Sequence, residues 1–214
     1  MQNNQIQIVR MELDIESIMD SLIEDVKSIN PDYHFNERYL HHLFSHKVQE
    51  KGPAISFKDK SVLHPEWATS IQDLRQGGCY SYDKEKRQYI ISDDPHGAGF
   101  IDFAIGDESY PDYAVEFKMS KQLNKEGVVF DMMKLIDNRN RIKKKVFSVT
   151  IYYGHSSFSN NMKKNNLEKC LSEAMKRLSI NQISRDYRFV FVEITNNHRI
   201  NIIELINSNC VNSK

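Results

Sequence analysis

The sequence predicts an α/β fold, a mixed central β-sheet flanked by α-helices. Three observations carry that prediction. Residues 11–29 and 167–178 repeat apolar side chains at helical spacing. Residues 100–105, 113–118 and 146–153 are short, nearly continuous apolar runs rich in aromatic and β-branched residues, the composition of buried strands. A helical pattern stands between the second and third of those runs, and a helical crossover brings the flanking strands in parallel.

In chain order, residues 1–8 show no periodic pattern. The first helix places Ile15, Ile18, Met19, Leu22, Ile23 and Val26 on one face. Glu12, Asp14 and Glu16 sit where the helix dipole favours acids, and Asn30-Pro31 stops the helix. Its apolar face suits a core or an assembly contact with a second copy or partner protein. Asn36 is the expected N-cap of a second helix running to about Glu50, closed by Gly52-Pro53. Leu40, Leu43, Phe44 and Val48 form its apolar arc, and Glu37 falls on that arc. His42 and His46 have i, i+4 spacing but lie opposite the arc without an HExxH pattern, so they read as solvated; His34 and His41 carry no further signal.

Residues 56–80 have a mixed pattern, with Trp67 read as a hydrophobic plug in preference to a base-stacking platform. Gly77-Gly78 marks a turn, and residues 80–91 read as a hairpin around Asp83-Lys84-Glu85-Lys86. Residues 93–97 lead as an acidic loop into the strands at 100–105 and 113–118, with turn formers Gly106 to Pro111 between them. A helix is expected over residues 127–144, with Val129, Met132, Met133 and Ile136 buried and a basic end formed by Arg139, Arg141, Lys143, Lys144 and Lys145. A strand over 146–153, a polar loop carrying Lys163-Lys164, the helix 167–178 and a hairpin of 188–194 with 199–205 around Thr195-Asn196-Asn197 complete the chain.

The chain has 214 residues, 27% charged and 40% hydrophobic, as in ordinary globular proteins. It reads as one domain, 1–214, with an N-terminal helical extension over 1–35 and a core over 36–206. Lysine plus arginine equals aspartate plus glutamate at 29 each, so any nucleic-acid contact must come from a local patch. No apolar run is long enough to span a membrane, the start lacks a signal-peptide pattern, and three cysteines without a CxxC suggest reduced thiols; a cytoplasmic location is expected.

Chemistry concentrates in Gly99 to Lys118, GFIDFAIGDESYPDYAVEFK. Asp102 stands in an apolar strand, where a carboxylate needs a metal ion or a cation to offset its burial. Glu116 and Lys118 are two apart and so share a sheet face. An acid pair beside a lysine suits a divalent cation; an edge-strand ion pair with Asp102 held by backbone donors is the plainer alternative.

Asp102, then Glu116-x-Lys118 across a hairpin, then a helix, resembles the PD-(D/E)XK nuclease superfamily, the restriction-endonuclease-like fold. Asp102 follows Ile101, not proline; the literal Pro111-Asp112 lies too close to Glu116 for a turn and a second strand between them. The resemblance implies a restriction-endonuclease-like core and Mg²⁺- or Mn²⁺-dependent hydrolysis of phosphodiester bonds, in DNA before RNA. Asp102, Glu116, the Phe117 carbonyl and Glu37 would hold the ion, and Lys118 would help deprotonate water or stabilise the transition state. Asp131 and Lys134 resemble the polar support on the helix after the ExK strand, although their spacing alone gives an i, i+3 surface ion pair, the reading preferred for Asp131. Lys134, Lys143, Lys144, Lys145, Lys163 and Lys164 are the expected contacts to a phosphate backbone. The alternative is a non-catalytic member of the fold, a binding or regulatory subunit working through protein contacts. Removing Asp102 is expected to relieve a buried charge and stabilise the chain.

Overall fold

A computed structural model describes residues 13–28, 36–51, 63–69, 77–94, 97, 99–107, 109–120, 125–153, 164–195 and 199–207. Two helices come first, α1 (Ile15–Ser28) and α2 (Glu37–Lys51). Strands β1 (Leu63–Ala68), β2 (Tyr80–Asp83), β3 (Gln88–Ile91), β4 (Phe100–Gly106) and β5 (Pro111–Ser120) follow. Then come α3 (Lys125–Ile136), β6 (Lys145–Tyr153), α4 (Lys164–Arg177), β7 (Asp186–Ile194) and β8 (Ile200–Asn207). Six strands form one mixed sheet in the order β1-β4-β5-β6-β7-β8, and β2 pairs β3 separately. β5, β6 and β7 run parallel, while β1 with β4, β4 with β5, and β7 with β8 are antiparallel.

Alternation along the strands builds two cores. Phe103, Val115, Phe117, Phe147, Val149 and Val190 pack against α1 and α2. Ala104, Ala114, Val146, Phe189 and Phe191 pack against α3 and α4. Residues two apart share a face, so β5, β6 and β7 each feed one core with odd and the other with even positions. The apolar stripe of α1 is fully spent in the first of these cores, and Lys47 of α2 reaches Ser21 at 2.8 Å and Asp25 at 2.6 Å on α1. Within the stretch read as an extension, α1 is thus part of the core, and its apolar face is covered by α2 and the sheet of this chain rather than left for a second chain.

Several boundaries differ from the sequence reading. β1 lies inside the stretch that read as mixed; it is an edge strand, which tolerates Pro65 because one of its sides has no ladder. β5 begins at Pro111, inside the expected turn. The turn depends on Gly106, whose φ of +112° suits only glycine and whose missing Cβ would stand 3.0 Å from the Asp112 nitrogen. α3 ends at Ile136, not near residue 144. Asp137 turns extended there and accepts the Arg139 N–H, and Arg141 closes the following single turn in the left-handed region at φ 52°. Asn140 is then buried, accepting from the Gly78 N–H at 2.7 Å and donating to the Lys134 carbonyl at 2.6 Å. Lys143 and Lys144 donate their N–H groups to the Pro111 and Asp112 carbonyls at 2.9 Å. They therefore belong to the approach to β6, not to a helix terminus. The flanks Asn30-Pro31, Gly52-Pro53 and Asn196-Asn197 lie outside the described residues.

Candidate metal and nuclease site

Asp102 sits at a rung where the sheet changes character. β1 pairs β4 with Pro65 opposite Phe103 and Trp67 opposite Ile101, which sets Glu66 across from Asp102. β4 pairs β5 as far as Phe103 opposite Val115, and the same count sets Glu116 across from Asp102 on the other side. Neither acid pair is itself a paired rung. Glu66 has φ 51°, unusual for a residue with a Cβ. Ile101 and Phe103 are two apart yet enter opposite cores, Ile101 with Trp67 on the α3 side and Phe103 on the α2 side. Both strands roll over at this rung.

The roll turns the Asp102 carboxylate toward the neighbouring strand. Its Oδ2 accepts the Phe117 N–H at 2.6 Å. Two residues on, Glu37 Oε2 from α2 accepts the Met119 N–H at 3.1 Å. N–H groups two apart point to the same edge of a strand. Beyond Val115 that edge of β5 has lost β4, so two carboxylates replace the missing ladder. A residue's C=O follows its N–H to the same edge, which directs the Phe117 carbonyl into the same gap.

On the α3 side, Glu116 is 3% exposed. Lys134 Nζ lies 2.5 Å from Glu116 Oε1 and 3.2 Å from Asp131 Oδ1, and it donates to the Phe100 carbonyl at 2.8 Å. Lys118 Nζ lies 3.2 Å from Asp131 Oδ2. Ser148 and Thr150, opposite Glu116 and Lys118 on β6, are buried beside them. Burial pushes the Glu116 carboxyl well above the usual range; Lys134 pulls it down, while Asp131 and Asp102 push it further up. Burial lowers the Lys118 amine, but Asp131 beside it holds the group above its ordinary value. Asp131 and Lys134 are thus no surface pair: both are buried and bridge the strand acid to the strand lysine. Lys134 is correspondingly closed off from any phosphate chain outside.

On the α2 side, His41 Nε2 lies 3.4 Å from Asp102 Oδ2, its ring edge-on to Phe103. Hydrogen bonding to Asp102 raises the imidazole, burial opposes it, and the Asp102, Glu37 and Glu66 charges add to the rise. Donor atoms of His41, Glu66 and Asp102 all lie within 4.8 Å of one another. The sequence reading missed His41 and Glu66. His41 had a findable signal, four residues after Glu37 on the arc that continues to Phe44 and Val48. Glu66 had none without β1.

The basic residues stand elsewhere. Lys143 and Lys144 approach Asp112 at 3.9 and 3.6 Å, and Lys145 pairs with Glu16 of α1. Together with Tyr113 and Arg185 they line a cleft at the starting ends of β5, β6 and β7. Lys145 is opposite Tyr113, three residues before Glu116, or about 10 Å along the strand. Lys164 opens α4, and Lys163 lies outside the described residues. Among the described residues no helix is long and apolar enough to cross a membrane.

No family model, no curated protein and no solved structure matches the chain.

Proposed function

We propose that the protein is a nuclease with a restriction-endonuclease-like core, hydrolysing phosphodiester bonds in DNA with Mg²⁺ or Mn²⁺. The observation that carries this reading is the register of β4 on β5, which sets Asp102 across from Glu116, two residues before Lys118, where the ladder between the two strands opens. An antiparallel pair, then α3, then a parallel β6 supports the core assignment.

Asp102, Glu37 and the Phe117 carbonyl are hard oxygen donors that would hold the ion, and Glu116, which faces α3 with Lys134 at 2.5 Å, would join them by exchanging that lysine for the metal. When bound, the ion would supply a Lewis acid and an acidified water. Asp102 and Glu37 hold the open edge of β5 in register, so the carbonyl between Glu116 and Lys118 keeps its direction. Lys134 neutralises Glu116 and fixes its carboxylate. Lys118, with a side chain 36% exposed, reaches the opening of the site and would place positive charge against a phosphate oxygen or take part in activating water.

The test is cleavage of plasmid DNA, linear DNA and RNA with Mg²⁺ or Mn²⁺ by the wild type, Lys118→Ala and Glu116→Gln. Cleavage by the wild type, lost in both folded variants, supports the reading; an inert wild type under every condition overturns it. Two observations favour the non-catalytic alternative. The Phe117 N–H already satisfies Asp102 as a backbone donor. Lys118 and Glu116 both have charge partners within the chain, Asp131 and Lys134. On that reading the protein shifts DNA in a gel, or captures a partner protein, and cuts nothing.

A further inference from the structure

We propose that His41, Glu66 and Asp102 form a binding site for a first-row transition-metal dication, of the Mn²⁺ class, on the α2 side of the sheet. The site shares Asp102 with the nuclease reading but rests on its own geometry and does not need that reading.

Three independent features point to it. The donor set is the first. One imidazole nitrogen and two carboxylates lie within 4.8 Å of one another. His41 Nε2 and Asp102 Oδ2 are 3.4 Å apart, and with bonds of about 2.1 Å they would subtend about 110° at a common ion. Glu66, exposed at the rim, supplies the third donor atom from its present position.

The second is the state of His41. Its Nε2 is shielded from solvent and its one close polar neighbour is Asp102 Oδ2 at 3.4 Å, a long contact. Without metal that nitrogen faces the carboxylates as a proton donor; a dication would take the place of the proton and bind the lone pair between the same two carboxylates. The third is the backbone. Glu66 is held in the left-handed region in the middle of a strand, at the rung where the β1–β4 pairing is interrupted opposite Asp102. Such conformations persist where the surroundings over-determine them, and they cluster at ligand sites. Straightening β1 would restore strand alternation and move the Glu66 carboxylate from its place beside His41.

Ligand chemistry sets the choice of ion. Mg²⁺ and Ca²⁺ prefer all-oxygen shells, whereas an imidazole with two carboxylates suits Mn²⁺, Fe²⁺, Co²⁺ or Zn²⁺. Glu116 is on the other side of Asp102 with Lys134 at 2.5 Å, so it is not a member of this set.

The experiment is a Mn²⁺ titration of the untagged full chain, followed by electron paramagnetic resonance, with pulsed detection of nitrogen coupling. The expected result is one Mn²⁺ bound with an imidazole ¹⁴N coupling that vanishes in His41→Ala. Glu66→Gln, at an exposed position tolerant of substitution, should weaken binding about tenfold or more, the usual size of a ligand-shell loss. Glu116→Gln should keep the nitrogen coupling. No binding below millimolar Mn²⁺, or bound Mn²⁺ with an oxygen-only shell, overturns the site. An inert wild type that still shows the coupling sinks the nuclease reading alone. Metal-dependent cleavage with an oxygen-only shell sinks this proposal alone.

Discussion

Asp102 Oδ2 accepts the Phe117 N–H at 2.6 Å, so the carboxylate that looked like a buried liability is a backbone partner for the next strand. Asp102→Ala should therefore destabilise the chain, against the expectation that losing a buried charge helps. An orphaned backbone N–H costs about 1–3 kcal/mol. Urea unfolding of metal-free protein measures this, and a higher midpoint in the variant would show that repulsion from Glu116 outweighs the lost bond.

Lys134 is the only cation within salt-bridge reach of Glu116 among the described residues, and it is 6% exposed. Lys134→Met strands Glu116 and Asp131 in the core, and breaking a buried pair by removing one partner costs about 3–5 kcal/mol. The double variant Lys134→Met with Glu116→Gln should recover a large part of that loss. A double-variant cycle in denaturant reads the coupling, and simple additivity would mean that the two groups do not sense each other.

Gly106→Ala should cost about 1–3 kcal/mol, the scale of a residue forced into a disallowed conformation. Its φ of +112° and the 3.0 Å approach to the Asp112 nitrogen leave no room to relax without moving the start of β5. Thermal melts of the variant test it, and an unchanged midpoint would mean that the turn re-forms in another shape.

Cys170 is 1% exposed, and burial pushes its thiol up to about 11 from 9.0. The native protein at pH 8 should leave Cys170 unmodified by iodoacetamide, with reaction appearing only in denaturant; peptide mapping reads this directly. The thiol proton is held more tightly in the folded state than in the unfolded one. Its contribution to stability is full below about pH 9 and is lost as pH rises toward 11. Cys170→Ala should flatten that alkaline fall, and an unaltered slope assigns it to other groups.

The helices and central strands were legible because their apolar spacing is set by burial on one face, as with Ile15 to Val26 of α1 and Phe147, Val149 and Ile151 of β6. β1 was not, because an edge strand with proline and a left-handed glutamate has neither alternation nor propensity to show. The end of α3 was hidden by favourable residues beyond it; what stops it is tertiary, Asp137 and Asn140 bonded to Tyr80 and Gly78 from another part of the chain. Asp102, Glu116, Lys118 and Glu37 could be picked out because carboxylates and a lysine are conspicuous on apolar faces. Their pairing through Lys134 and Asp131 could not, since it depends on where α3 lands on the sheet.

The packing of α1 has a consequence for how the chain is made. Arg188 of β7 bonds Asp20 of α1 at 2.6 Å, across a separation of 168 residues, and Val190 and Val192 share a core with Ile18 and Leu22. α1 can pack on α2 soon after both are made, but the part of its apolar face that meets β7 is covered only once that strand is made. An isolated helix of 14 residues is marginal in water. During synthesis α1 has only α2 to pack against, through Lys47 with Ser21 and Asp25 and the shared apolar cluster, until the sheet strands are made. Protease pulses on stalled chains should find Ile15 to Val26 cleavable up to the release of β7 and protected after it.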